Sequence, residues 1–320
     1  MIVNKLNMNL KRYNITNICL FISCVIIWST SWLAITTQIS NTAPAVSLFW
    51  RFFLAFITLC IVDFFHSSQK INSKRALFES ALIGISYYFL GIWLTYEATY
   101  YIPSAFLACL STTAIFFTLL IKKIFWQQPL LKVMILGALI STTGLTIFFF
   151  DQLSSQEGAS KGVALALLSF FLIAVGSVVT ERVNKKYQLS SIKINKIAIF
   201  TACIAFMITC VFQNQSLSVP LSAEFLLPLF YLGIVCSALA FVLFTSMVSR
   251  MGTEYAQYVV FIYPLVATYI AYAVGEISLS LNMVLGSVLV IIGFAVGMHK
   301  KPSNSPQQQK RELGEAKSPS

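Results

Sequence analysis

Charged residues are scarce in this sequence. Only 10% of its 320 residues are Asp, Glu, Lys or Arg, whereas 58% are hydrophobic. This number of charges is too small to cover the surface of a water-soluble protein of this length. Most of the chain is therefore expected to face lipid. The net charge of +11 would indicate a nucleic-acid partner in a soluble protein. Here we expect it to arise from basic loops on one side of a membrane, and we predict no nucleic-acid partner.

The residues that carry most enzyme and metal chemistry are also few. The two histidines, His66 and His299, fall at the ends of predicted helices. The sequence has no HExxH motif, no paired acids at membrane depth and no nucleotide-binding loop. Its seven cysteines lie in apolar runs without a CxxC pair, so we interpret them as small apolar helix residues. We therefore predict no catalytic residue, no metal and no cofactor, and we expect that the protein is not an enzyme.

Long uncharged runs make up most of the chain. Residues 255–274 form one of about twenty residues, the length that crosses ~30 Å of hydrocarbon. Ten such spans are predicted, at residues 15–35, 46–65, 77–96, 102–121, 132–150, 162–181, 194–212, 225–247, 255–274 and 281–298. Residues 1–14 are predicted to be a polar cytoplasmic segment without a cleavable signal peptide. Residues 299–320 are rich in Pro, Ser, Gln and Lys and are predicted to be a disordered cytoplasmic tail.

Lysine and arginine residues are distributed unevenly around the predicted spans. With the amino terminus in the cytoplasm, all but two of the 22 Lys and Arg residues fall on the cytoplasmic side. The exceptions are Lys161, in an outside loop, and Arg51, inside the second span. Because positively charged loops stay in the cytoplasm, we predict a multi-pass protein of the bacterial inner (cytoplasmic) membrane with both termini cytoplasmic.

The second half of the chain repeats the glycine pattern of the first. Three glycines recur 149 positions later, namely Gly84, Gly137 and Gly144 as Gly233, Gly286 and Gly293. This offset predicts a duplication, with five spans in residues 15–150 and five in residues 162–298. Because five is odd, the second copy enters the membrane from the opposite side. The predicted fold is therefore an all-α integral membrane protein with ten transmembrane helices in two inverted five-helix repeats.

Several stretches of the chain resemble one transporter family. They are IIWSTSWLAI (26–35), LFWRFFLAF (48–56), TYEATYYIPSAFLACL (95–110), YLGIVCSALAFVLF (231–244) and YPLVATYIAYAVGEISLSLNMVLGSVLVIIG (263–293). In order and spacing they are similar to the EamA-type carriers of the drug/metabolite transporter superfamily, over residues of about 15 to 300. The resemblance implies ten helices, a central cavity and transport of small organic molecules, often amino acids or their relatives. The first repeat departs from symmetry, since Gln127-Gln128 stands where the second has Gly275-Glu276.

Arg51 is the clearest single candidate for a binding residue. It lies one to two turns inside the second span, where an ionisable side chain is costly and is expected to face the bundle interior or a wet cavity. The functional interpretation is contact with an anion or carboxylate. The structural alternatives are a side chain that snorkels outward or a pair with Glu97.

Aromatic residues supply the second signal. Trp28, Tyr88 and Tyr263 lie deep in spans one, three and nine, and Ser31 is close to Trp28 on the first span. These groups offer π faces and hydroxyl donors that suit a cavity for an organic solute. An interfacial aromatic belt is the alternative.

Pro264 and two acids are the candidates for gating or coupling. Pro264 is the only mid-span proline, so it is expected to kink span nine and to free backbone carbonyls near the bilayer centre. Glu97 and Glu276 lie at the outer ends of spans three and nine and are candidate proton-coupling carboxylates. The alternative for both acids is a solvated helix end.

The predicted function is secondary transport of small organic metabolites across the cytoplasmic membrane by alternating access. Few intramembrane charges favour amino acids or related zwitterionic or aromatic solutes, including S-adenosylmethionine-like compounds, over multiply charged ones. A passive channel and a membrane-embedded lipid enzyme are the alternatives. The expected partners are the small-molecule substrate, protons or a counter-substrate, and the lipid bilayer. The protein is expected to be a monomer or a homodimer.

Overall fold

The computed structural model describes residues 15–39, 42–66, 71, 73–102, 104–129, 132–150, 159–273, 275 and 278–299. Within these ranges every regular element is helical. We number the helices α1 (Ile15–Ile39), α2 (Pro44–His66), α3 (Lys74–Ala98), α4 (Ser104–Ser111 and Thr113–Trp126), α5 (Lys132–Phe148), α6 (Ala159–Tyr187), α7 (Ser191–Phe212), α8 (Ala223–Met251), α9 (Thr253–Ala256 and Val259–Ala273) and α10 (Leu281–His299).

The lengths and apolar character of these helices fit a membrane protein. Within the described ranges, eight stretches are long and apolar enough to cross a bilayer, and α1 and α5 supply two shorter apolar stretches, Ile15–Ser31 and Lys132–Phe148. Each of the ten predicted spans overlaps one helix. The amino-terminal segment 1–14 and nearly all of the predicted tail 299–320 lie outside the described residues.

Local sequence signals account for several helix ends. Pro44 begins α2, a position where its missing N–H does no harm. The side chains of Ser73 and Ser190 accept hydrogen bonds from the backbone N–H groups of Ala76 and Lys193, capping α3 and α7. Gly252 links α8 to α9 with φ of 92°, a left-handed value that a glycine adopts without strain.

Helices α3 and α8 each contain a π-helical segment at a matching place in the two halves. These segments are Gly84–Gly91 and Tyr231–Leu239, and the offset of 149 places Gly84 on Gly233. Both glycines allow close packing, because a Cβ at Gly84 would lie 2.8 Å from Cβ of Thr201 in α7, and one at Gly233 would lie 2.8 Å from Cβ of Leu54 in α2. Helix α3 therefore packs on α7 as α8 packs on α2.

Helices α5 and α10 pack tightly through their glycines. A Cβ at Gly137 would lie 2.6 Å from the carbonyl oxygen of Gly293, and one at Gly144 would lie 2.8 Å from that of Gly286. The start of α5 therefore faces the end of α10, so the two helices run antiparallel. Between these contacts Ser141 donates to the carbonyl oxygen of Val290 at 3.3 Å, the residue 149 positions later.

Exchanging the two halves leaves the main helix contacts unchanged. Helix α3 packs on α6 as α8 packs on α1, and α4 packs on α6 as α9 packs on α1. The remaining large contacts, α2 with α7 and α5 with α10, join helices at equivalent positions. This arrangement has the self-complementary form that a two-fold relation produces.

Helix α9 has an interruption that comes before its proline. Val259–Ala273 continues as a helix through Pro264, which is buried inside it. The break falls at Gln257 and Tyr258, between the two helical segments of α9. Proline removes one backbone donor from this helix, and the kink at Pro264 stays a prediction.

Candidate functional site

A cavity of about 180 Å³ lies between the two halves of the chain. Helices α1 to α4 line one part of it and α6, α8 and α9 line the other. Most of the lining is apolar or aromatic, and the polar exceptions include serines, threonines, tyrosines and one arginine. No Asp or Glu occurs among its lining residues, which are Trp28, Ser31, Arg51, Tyr87, Ile92, Thr95, Tyr96, Thr99, Ser111, Ala114, Phe170, Ile173, Phe241, Val260 and Tyr263.

Arg51 supplies the cation of this cavity. Its side chain is buried, with the residue 5% exposed. Its Nε donates to Ser237 Oγ at 2.8 Å and its Nη1 donates to the hydroxyl of Tyr96 at 3.0 Å. Both acceptors are neutral, and within the described part of the chain no carboxylate forms an ion pair with Arg51. The guanidinium therefore borders the cavity without an acid from the described residues to compensate its charge.

The structure does not form the pair between Arg51 and Glu97 that the sequence offered as an alternative. The carboxylate of Glu97 instead accepts a hydrogen bond from the indole N–H of Trp93 at 2.9 Å, one turn away on α3. Glu97 is not on the cavity lining. Arg51 is thus held by α8 and α3 through hydroxyl groups, which fix its position without neutralising it.

Trp28 and Tyr263 form an aromatic wall of the cavity. Their ring centroids are 6.4 Å apart in an edge-to-face arrangement, and Trp28 also contacts Phe241 and Phe244. Two serines of α1 form hydrogen bonds beside this wall. Ser29 donates to the carbonyl of Tyr263 in α9 at 3.0 Å, and Ser31 donates to the carbonyl of Trp28 in its own helix at 2.8 Å. Such a wall presents π faces to a ligand.

Tyr88, a predicted binding residue, is beside the cavity but not on its lining. Its hydroxyl donates to Asn195 Oδ1 at 2.5 Å, and Asn195 Nδ2 donates to Thr245 Oγ1 at 2.9 Å. Tyr88 therefore joins α3 to α7 and α8. Its neighbour Tyr87 lines the cavity instead. Both tyrosines lie in the π-helical segment of α3, whose wider turn changes which residues share a face.

The gating and coupling candidates have mixed outcomes. Pro264 is buried in α9 directly after Tyr263, and its carbonyl accepts from Thr268 at 2.9 Å. Glu276 lies outside the described residues.

Of the five predicted substrate-binding residues, the structure brings four together around one cavity, namely Trp28, Ser31, Arg51 and Tyr263.

Sequence reasoning missed Tyr87 and Ser237 as residues of the site. Tyr96, at the end of span three, belonged to the aromatic residues that could line a cavity, but it was not among the five predicted binding residues. Ser237 lies in the second π-helical segment and gave no signal of its own. Its position 186 residues after Arg51 is brought close only by the packing of α8 on α2.

Comparisons with known proteins give one family and several similar proteins. The family model described as "EamA-like transporter family" matches residues 15–150 and 160–297. An "Uncharacterized transporter" of Clostridium kluyveri is 25% identical over 216 residues, covering 67% of this chain and 69% of that protein. The "Uncharacterized transporter YoaV" of Bacillus subtilis is 22% identical over 281 residues, covering 85% and 93%. A crystal structure described only as that of a protein shares the fold, with a TM-score of 0.73, 14% identity and coverage of 88% and 96%.

Proposed function

This chain belongs to the EamA-like transporter family, part of the drug/metabolite transporter superfamily, and from that premise we propose that it is a secondary carrier for small organic solutes that bear a carboxylate. It is a multi-pass membrane protein whose relatives are named as transporters. The carrier works by alternating access in the cytoplasmic membrane. Its preferred solutes are amino acids or related zwitterionic or aromatic compounds, with S-adenosylmethionine-like compounds in the same class.

The uncompensated charge of Arg51 is the observation that carries this proposal. A guanidinium has five N–H donors, and two of them reach Ser237 and Tyr96. The remaining donors match the two oxygens of a carboxylate, which a guanidinium binds in a bidentate manner. A buried charge is favourable only when it is paired, so a carboxylate-bearing solute completes the site.

The rest of the cavity suits the other end of such a solute. Because no acid among the described residues lines it, an ammonium group is best accommodated over the aromatic faces of Trp28, Tyr87 and Tyr263 by cation–π attraction. An aromatic or thioether side chain packs against the same wall. Arg51 is the one cation among the described lining residues, which disfavours sugar phosphates because their negative charge is larger.

The internal symmetry supports ten transmembrane helices in two inverted repeats, residues 15–150 and 162–298. Helices α5 and α10 are equivalent in this scheme and run antiparallel, with Ser141 bonded to its own equivalent Val290. Two halves related in this way can exchange conformations, which gives one cavity access to each side in turn. The distribution of Lys and Arg favours this scheme with both termini in the cytoplasm.

Transport by the purified protein in liposomes tests the proposal. A carrier gives saturable counterflow, in which unlabelled solute inside the liposomes drives uptake of labelled solute. The screen covers radiolabelled phenylalanine, tryptophan, methionine and S-adenosylmethionine, with protein-free liposomes as the control. Linear flux without counterflow indicates a channel, and a strict preference for phosphorylated compounds refutes the proposed solute class. Chemical change of the lipids without solute uptake indicates a lipid enzyme.

A further inference from the structure

A buried ion cluster joins three of the helices that line the cavity. Lys122 Nζ of α4 lies 2.6 Å from Glu181 Oε2 of α6 and also contacts Glu254 of α9. The side chains of these three residues are 4%, 1% and 11% exposed. A further cation, Lys185, reaches Glu181 Oε1 at 2.5 Å from a side chain that is 58% exposed. Two carboxylates therefore share one buried ammonium group.

The cluster lies directly beneath the cavity along the same helices. Lys122 follows the lining residue Ala114 by eight positions, and Glu181 follows Ile173 by eight, which is about 12 Å along each helix. Glu254 precedes the lining residue Val260 on α9, which runs in the opposite direction. All three helices thus place their charged residue at the same end of the cavity.

Three buried polar side chains lie between the cavity and the cluster. Thr118, Ser177 and Gln257 occupy this level on α4, α6 and α9, and they are 0%, 1% and 3% exposed. Thr118 and Ser177 are four residues from both levels of their helices, so they share the same helix face as the residues above and below. In the described part of the chain, neither hydroxyl has a hydrogen-bond partner, nor does either side-chain atom of the Gln257 amide.

Unpartnered buried polar groups are rare in native proteins and indicate water or a ligand. Here they form one level that connects a solute cavity to a pair of buried carboxylates. Gln257 marks this level in the backbone too, because it lies at the break in α9. On all three helices a polar side chain occupies this level, where a dry protein interior would have hydrophobic side chains.

We propose that Glu254 is the coupling-proton site of the carrier and that Thr118, Ser177 and Gln257 hold the water through which protons pass between cavity and carboxylate. The site serves the carrier function proposed above, on which its role in coupling rests. A proton delivered by this water forms an O–H bond on the Glu254 carboxylate. The ion pair between Glu254 and Lys122 is then lost, and with it the charged link between α4 and α9.

Glu254 rather than Glu181 takes the proton because the two carboxylates are held differently. Glu181 accepts from Lys122, Lys185, and both the backbone N–H and the hydroxyl of Thr253. These donors favour its ionised form. Glu254 has Lys122 as its single partner among the described residues. Protonation therefore costs Glu254 one interaction, whereas it would cost Glu181 several.

Other charged groups near these helices are engaged or exposed. Glu79 of α3 lies 3.6 Å from Arg182 and 3.8 Å from Lys186 of α6. Arg250 at the end of α8 and Lys132 at the start of α5 are exposed. The Trp126 ring lies 5.7 Å from Lys122 Nζ, so it adds an aromatic contact to the cation but no titratable group.

Infrared difference spectroscopy of the purified protein tests proton binding without any transported solute. On acidification the wild type is expected to show the band of a protonated buried carboxyl, which Glu254→Gln removes. Glu224→Gln, at the exposed start of α8, is the matched control and is expected to keep the band. Gln257→Leu is expected to keep the band but to slow its exchange in heavy water, because water access is reduced. If the wild type lacks the band, or Glu254→Gln retains it, the proton site is refuted.

Liposome measurements then separate the proton site from the carrier function. Glu254→Gln is expected to retain counterflow of labelled phenylalanine and to lose its accumulation against a gradient driven by a pH difference. A wild type without counterflow for any screened solute contradicts the carrier proposal, while the infrared result still decides the proton site. If Glu254→Gln does not fold, Glu254→Asp replaces it and is expected to keep the band with a shifted titration midpoint. An unshifted midpoint then refutes the assignment.

Discussion

The contact between α5 and α10 gives a sharp prediction, because its glycines leave no room for a side chain. A Cβ at Gly293 would lie 2.5 Å from the backbone nitrogen of Ser141 and 2.6 Å from the carbonyl oxygen of Gly137. Ordinary contacts at a Cβ begin near 3.4 Å, so Gly293→Ala forces the helices apart by nearly 1 Å. The obstacles are backbone atoms of α5, which no side-chain rotation relieves. Overpacking of this kind costs about 1–3 kcal/mol.

The same packing predicts how a second substitution behaves. Gly144→Ala meets the backbone of Val290 and Gly286 at 2.7 and 2.8 Å, so alone it is expected to cost a similar amount. Once the methyl group of one alanine has separated α5 from α10, the methyl group of the other meets less steric overlap. The double variant is therefore expected to cost less than the sum of the two single variants, because the sites share one interface.

Unfolding of the purified protein in mixed detergent micelles measures these costs. The matched control is Ala295→Leu, which adds a larger group to an exposed position of α10 and is expected to leave stability unchanged. If Gly293→Ala destabilises the protein no more than Ala295→Leu does, the close packing of α5 and α10 is wrong. Strict additivity of Gly144→Ala and Gly293→Ala would contradict the shared interface.

Three further outcomes are expected. Reporter domains fused at positions 157 and 190 should be found on opposite sides of the membrane, and a common side would contradict the inverted ten-span topology. Asn195→Leu removes the acceptor of the Tyr88 hydroxyl and is expected to lower the free energy of unfolding by about 1–3 kcal/mol, whereas a neutral result would show that the Tyr88 link is unimportant. Tyr87→Leu is expected to raise the KM of counterflow more than Tyr88→Phe does. The reverse order would show that the solute binds on the face of α3 that carries Tyr88.

Much of the architecture could be predicted because it depends on composition and spacing. Ten apolar runs predicted ten helices, and each overlaps a helix of the structure. The glycines that revealed the repeat are also residues of the packed interfaces, since Gly137, Gly144, Gly286 and Gly293 all lie where α5 meets α10. A small residue is needed there for helices to approach closely, so the packing requirement is visible in the sequence.

The site was harder to predict because its residues meet only through tertiary packing. Arg51 was identifiable from its depth alone, since an isolated charge in an apolar run has few explanations. Tyr88 was predicted from its depth in span three, whereas the π-helical turn decides which residues of α3 share a face. Lys122 was counted only among the basic residues of a cytoplasmic loop, and Glu181 at the end of the sixth span gave no signal of its own. Their burial depends on α9, which brings Glu254 between them from a distant part of the chain.

Recognition of a carboxylate by Arg51 is the central claim, and paired competitors test it directly. Counterflow of a labelled amino acid is measured in the presence of the same unlabelled amino acid or of its carboxamide, for the wild type and Arg51→Gln. A hydrogen-bonded charge contributes about 1.5–3 kcal/mol, or roughly 10- to 150-fold in affinity. The wild type is expected to prefer the acid over the amide by about that factor, and Arg51→Gln is expected to lose the preference. Lys161→Gln, which alters an exposed cation, should behave as the wild type. Equal discrimination by the wild type and Arg51→Gln would contradict the claim.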